Sequence, residues 1–264
     1  MNKNSVTLKD IKSSLTTAKA AQDKDRIITV LFRPISYYLT YLLMRVGFSA
    51  NKTSLLSFCA GLVSTTSLAF PNIYTKALAL VCLYIWQLLE YCDGNIARVS
   101  GKTSFAGAVI DNLNPIMIKM LMPIALGINA FLSSDRPFVF KYPLEINLVI
   151  GFVASMLYLL SFYYAELSNK IFTAYEGNIK ENPIKAKEVS GSSIAKKKKC
   201  TVLLKTYRIA EYIESFGYAG LIMTFLFIIL NMHLYLLLLL LVVRTIICTA
   251  SFSRFLYIAV KYSN

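Results

Sequence analysis

Glu90, Asp93 and Asp111 place three carboxylates in one short stretch of a strongly apolar chain, with Arg98 and Lys119 nearby. Glu90, Asp93, Gly94, Ala97 and Arg98 recur at three- and four-residue intervals, the spacing that puts side chains on one face of a helix. Gly107, Asp111 and Pro115 are spaced by four and share one face of the helix that follows. Between them lies Val99-Ser100-Gly101-Lys102-Thr103-Ser104, a turn in which Thr103 or Ser104 can serve as N-cap and bring the two faces together. The carboxylates then converge on a small volume lined by Gly94, Ala97 and Gly107. In a low-dielectric site such a cluster needs a cation between its members, or some of them must stay protonated. Oxygen donors without histidine or cysteine suit a hard divalent ion, Mg2+ or Mn2+. The small residues leave room for a bulky phosphorylated ligand, so the chemistry indicated is that of a metal-bound phosphate or pyrophosphate.

The elements that must position these groups are membrane helices. Of 264 residues, 56% are hydrophobic, and they come in long runs rather than with helical or strand periodicity. Runs of about 20 such residues match the hydrocarbon thickness of a bilayer. A soluble domain of this length could not hide so much apolar surface in one core. The reading is an all-α integral membrane fold of six transmembrane helices, preceded by an N-terminal interfacial amphipathic helix. Residues 1–26 form a polar head with no cleavable signal peptide. Ile27 to Gly47 is apolar but broken by Arg33, Pro34 and Arg45, and so reads as lying on the membrane. Spans are expected over Leu55 to Phe70, Ala77 to about Cys92, Phe105 to Phe131, Leu144 to Ala165, Gly217 to Leu230 and Leu234 to Ala250. The last two form an antiparallel hairpin.

A basic loop over about residues 166–214 carries the run Lys196 to Lys199. With both termini in the cytoplasm this loop, Arg98, Lys102 and Lys261 are all cytoplasmic. Only Lys76, Arg136 and Lys141 are then left outside, so the positive-inside rule is obeyed. The net charge of +14 is accounted for in this way and calls for no nucleic acid partner. Five cysteines without a C-x-x-C pair suggest neither a disulfide framework nor a zinc site. Arg244, inside the last span, could face the cavity or pair within the bundle. Trp86 reads as packing or an interfacial anchor, and Pro123 as a tolerated kink.

The stretch EYCDGNIARVSGKTSFAGAVID, Glu90 to Asp111, resembles the signature of the CDP-alcohol phosphatidyltransferases, D-x-x-D-G-x-x-A-R-x8-G-x-x-x-D-x-x-x-D. Asp93, Gly94, Ala97, Arg98, Gly107 and Asp111 match at the same spacings. Upstream, FSANKTS is similar to the family's G-[IL]-[ST]-P-N-x-x-T, with Ala50 where proline is usual. The resemblance covers Arg33 to the fourth span by motif and residues 27–264 by topology. It implies transfer of a phosphatidyl or substituted phosphate group from a CDP-linked lipid or alcohol to an alcohol acceptor. CMP is released, and the setting is phospholipid or related glycolipid synthesis at the cytoplasmic face. It further implies Mg2+ or Mn2+ on Glu90, Asp93 and Asp111. A nucleotide pocket would be lined by Gly94, Ala97, Arg98 and Gly107 and approached by Asn51 and Thr53, and the protein would be a homodimer.

Two positions depart from the pattern. Glu90 replaces the first aspartate with a side chain one methylene longer. Pro115 stands where the family has its fourth acid, which serves the second metal and the general base. Asn112 and Asn114 are neighbours expected on other faces. Proline cannot donate to the carbonyl of Asp111, which could serve as a substitute oxygen ligand. Lys119, one turn further on, could put an ammonium where a second metal would supply charge. The alternative to a working transferase is therefore a nucleotide- or lipid-binding pseudoenzyme or complex subunit.

Overall fold

The computed structural model describes residues 6–16, 27–101, 104–133, 143–181 and 232–262, with Phe227 and Leu230 besides. All regular structure among them is helical: α1 (Leu8–Ser13), α2 (Ile27–Arg45), α3 (Ala50–Leu68), α4 (Ile73–Ser100), α5 (Phe105–Leu132), α6 (Ile146–Glu181) and α7 (His233–Tyr262). Within the polar head, α1 forms because Thr7 and Asp10 cap each other reciprocally, and its fully buried Ile11 anchors it against α2 and α4.

Four helices are long and apolar enough to cross a membrane: α4, α5, α6 and α7. They coincide with the second, third, fourth and sixth expected spans. The fifth, Gly217 to Leu230, falls almost wholly outside the described residues, as do Lys196 to Lys199. The first overlaps α3, which ends at Leu68 and whose apolar content is diluted by serine and threonine. That helix is polar inward and apolar outward. Thr53, Ser54, Ser57, Ser64 and Thr65 are buried, whereas Leu55, Leu56 and Val63 are exposed. Such a pattern suits a lipid surround, where small hydroxyl residues join helices. Ser64 Oγ donates to the Ala79 carbonyl at 2.7 Å and Ser57 Oγ to the Trp86 carbonyl at 3.2 Å, fastening α3 antiparallel to α4.

The fourth span does not end at Ala165. It continues as helix to Glu181, so the first part of the expected loop is helical. The extension is held by α7, which also outruns its expected end at Ala250. Tyr164 packs its ring against Phe252 and Phe255, and Arg254 donates to Asn169 at 3.1 Å.

The two acid-bearing helices, α4 and α5, are joined chiefly through α3, which packs extensively on both. Gly61 of α3 permits this: a Cβ there would stand 2.6 Å from Ile118 of α5 and 3.0 Å from the Trp86 ring of α4. Further along, α5 crosses α6 at Gly127 and Gly151, where a Cβ on either would come within 2.6 Å of the other helix's backbone. A core of Leu68, Leu80, Leu126 and Leu237 closes the far end of α3, α4, α5 and α7.

Candidate functional site

The first turns of α3 and α5 and the last turns of α4 enclose a cavity of about 150 Å3. From α4 come Asp93, Gly94 and Ala97; from α5, Ser104, Gly107, Ala108 and Asp111; from α3, Ala50, Asn51 and Ser54. Asp93 is 3% exposed and accepts a 2.8 Å hydrogen bond from Ser54 Oγ, whereas Asp111 is exposed on the opposite wall. The cavity thus receives two helix N-termini, each with its serine cap, Ser49 on α3 and Ser104 on α5. Their amides and dipoles favour anionic oxygen, while the two aspartates favour a cation.

Two glycines make room. A Cβ on Gly107 would collide with the Asn51 carboxamide, which sits across the opening and donates to Ser104 Oγ at 2.8 Å. A Cβ on Gly94 would meet the Arg98 guanidinium at 3.3 Å. Arg98 lies back along α4 and donates to Asn95 Oδ1 at 2.6 Å rather than lining the cavity. Arg33 of α2 donates to the same oxygen at 3.4 Å, and the Asn95 amide reaches Ser36 and Thr40. Asn95, through Arg33, Ser36 and Thr40, therefore ties the end of α4 to α2.

Glu90 sits one turn deeper, outside the cavity lining. Ser57 Oγ donates to its Oε1 at 3.1 Å, and Asn114 Nδ2 donates to the same oxygen. Asn114 is 1% exposed and also donates to Ser57 Oγ at 3.0 Å, while Trp86 Nε1 donates to Asn114 Oδ1 at 3.1 Å. Two expectations change here. Asn114 does not point to another face, because it follows Asp111 by three residues and so shares its side of α5. Trp86 is buried in this network rather than placed at an interface.

Thr53 is also repositioned: it is fully buried and bonds back to the Ser49 carbonyl at 3.0 Å. Ser54, three residues after Asn51, takes the place expected for Thr53, as the N-x-x-T spacing itself indicates. Lys119 lies with Nζ 6.0 Å from the centre of the Tyr158 ring. Arg244 does not face the cavity. Its guanidinium donates to the carbonyls of Lys119 at 3.0 Å and Ala154 at 3.2 Å, over the Tyr158 ring at 4.6 Å. The Lys119 carbonyl is the one that Pro123, four residues on, cannot serve.

Sequence reasoning missed Ser54, Ser57, Ser104 and Asn114 as acid- or cavity-linked groups. A signal was present for the α3 pair, since Asn51, Ser54, Ser57 and Gly61 recur at three and four residues. Among the described residues, no three of His, Cys, Asp or Glu gather closely enough to hold a metal by themselves. Asp93 and Asp111, with the neighbouring oxygens of Ser54 and Asn51, still offer the hard donors that one divalent ion accepts when phosphate completes its shell.

Apolar helices around a polar inner seam, with an acidic cavity at one end, define an integral membrane protein with a ligand site between its helix ends. The CDP-alcohol phosphatidyltransferase family matches residues 48–194, more than half of the chain and all of α3 to α6, and the chain belongs to that family. Its general reaction is phosphatidyl transfer from a CDP-alcohol. A search of curated proteins finds no match.

Proposed function

We propose that this chain transfers a phosphatidyl or substituted phosphate group from a CDP-linked donor to an alcohol acceptor, releasing CMP in phospholipid or related glycolipid synthesis. The observation that carries the reading is Asp93 and Asp111 facing each other across a cavity where α3 and α5 begin. A Mg2+ or Mn2+ ion bound there would neutralise the donor pyrophosphate and make phosphorus a better electrophile. Asp93 and Asp111 would hold that ion, with Asp93 oriented by its hydrogen bond from Ser54. The amides opening α3 and α5 receive phosphate oxygens. Gly94, Ala97 and Gly107 admit the nucleotide, and Asn51, hydrogen-bonded to Ser104, borders its entry.

The wider arrangement follows the same reading. Six spans include the polar-seamed α3 and the segment Gly217 to Leu230, and both termini and the cavity are cytoplasmic. Helix α2 lies at the interface, a placement supported by its exposed stripe of Ile35, Tyr38 and Leu42. The opposite face of α2 is fixed to α4.

Pro115 favours a second reading, a binding protein without turnover, because general-base help is typically worth about 10²–10⁴-fold. Purified chain given radiolabelled CDP-diacylglycerol, Mn2+ and a panel of alcohols separates the two. The transferase releases CMP only when a suitable alcohol is present, and Asp111→Asn stops it. Saturable binding of the CDP-lipid without CMP release from any acceptor would establish the binding protein instead.

A further inference from the structure

We infer that this chain works with one divalent ion per site, held between Asp93 and Asp111, and that Glu90 is a buried network acceptor rather than an ion ligand. The inference rests on the proposed transferase reading and departs from the three-carboxylate set that the sequence suggested.

Three observations carry it. Asp93 and Asp111 line the cavity, and Glu90 does not. One Glu90 oxygen is already taken by two donors, Ser57 Oγ and Asn114 Nδ2, and Asn114 is in turn held by Trp86. Turning that oxygen toward the cavity would exchange two hydrogen bonds inside the bundle for one contact with an ion. Finally, Pro115 offers no side-chain oxygen at the position one turn beyond Asp111.

One ion carried by two carboxylates, with phosphate and water completing its shell, is an ordinary arrangement for Mg2+. Asn114, Ser57 and Trp86 are then positioning residues that keep Glu90 off the ion.

The test is Mn2+ titration of the purified full chain in nanodiscs with CDP present, read by electron paramagnetic resonance. The expected result is one Mn2+ per chain, with no signal from a coupled pair. Asp93→Asn and Asp111→Asn weaken Mn2+ binding by well over about 100-fold, whereas Glu90→Gln weakens it by about 10-fold, the lower end of outer-shell effects. Pro115→Asp is expected to admit a second ion and produce the coupled signal. Two ions per wild-type chain, or a Glu90→Gln loss as large as that of Asp93→Asn, would overturn the inference while leaving the transferase reading intact. No Mn2+ bound at all would bring down both. Should Glu90→Gln fail to fold, as judged by its thermal transition, the wild-type stoichiometry decides alone.

Discussion

The contact between Arg244 and the Lys119 carbonyl makes a quantitative claim about how α7 is fastened to the site. Pro123 has no N–H, so the carbonyl four residues earlier loses its helical partner. Arg244 supplies the missing donor across the bundle, bonds Ala154 on α6 with its other nitrogen, and is only 9% exposed. Hydrogen bonds from charged donors contribute about 1.5–3 kcal/mol each in soluble proteins. Side-chain bonds inside membrane proteins average nearer 0.6 kcal/mol, with about 1.7 the largest. Two bonds at the upper membrane value put the cost of Arg244→Met at about 3 kcal/mol.

Pro123→Ala restores an N–H for Lys119, so the same Arg244→Met change in the Pro123→Ala background should cost about 1–2 kcal/mol less. The assay is a double-mutant cycle on reversible denaturant unfolding in mixed micelles, followed by tryptophan fluorescence from Trp86. Additivity within about 0.3–0.5 kcal/mol would refute the idea that Arg244 replaces the bond proline removes.

Other expectations follow from the close contacts. Gly107→Ala drives a methyl group into the Asn51 carboxamide and should lower kcat/KM for the CDP donor by about 10-fold or more, with partial recovery in Gly107→Ala/Asn51→Ala, measured by CMP release. Gly127→Val forces α5 from α6, where backbone lies 2.6 Å from the would-be Cβ, and should lower stability by about 1–3 kcal/mol in the same unfolding assay. At the N-terminus, bonds from the Thr7 backbone and side chain hold the Asp10 carboxyl below its ordinary value of 3.8. The capping contribution is therefore fully present above that value and is lost as pH falls through the lower folded pKa. Hydrogen exchange at α1 should accelerate over that acidic window and in Asp10→Asn at neutral pH. Unchanged protection would show that Ile11 alone holds the helix.

Much of the site was legible before any coordinates. Asp93, Gly94, Ala97, Gly107 and Asp111 were placed on two faces by three- and four-residue spacing, and all five line one cavity. Glu90 has the same spacing but a different fate. Periodicity states which side of a helix a residue occupies, and not whether a neighbouring helix has already claimed its oxygens. The use of Asn114 was not legible, because its bonds with Ser57, Glu90 and Trp86 depend on how two other helices pack against its side of α5. Arg244 could not be assigned from sequence, since its partners are carbonyls on two other helices.

The order of residues along this chain determined its apolar spans, the caps and glycines at the cavity, and the acids that face it, because these depend on local periodicity and on intrinsic chemistry. Tertiary structure alone decided that α3, the least apolar of the long bundle helices, stands between the two acid-bearing ones and carries the serines that hold the two carboxylates of α4. It also decided that Arg98 turns to Asn95 and that Arg244 bonds carbonyls of two other helices. Hydroxyl and guanidinium groups choose partners by distance in space, and in a bundle those distances are set by how closely glycine and serine let the helices approach.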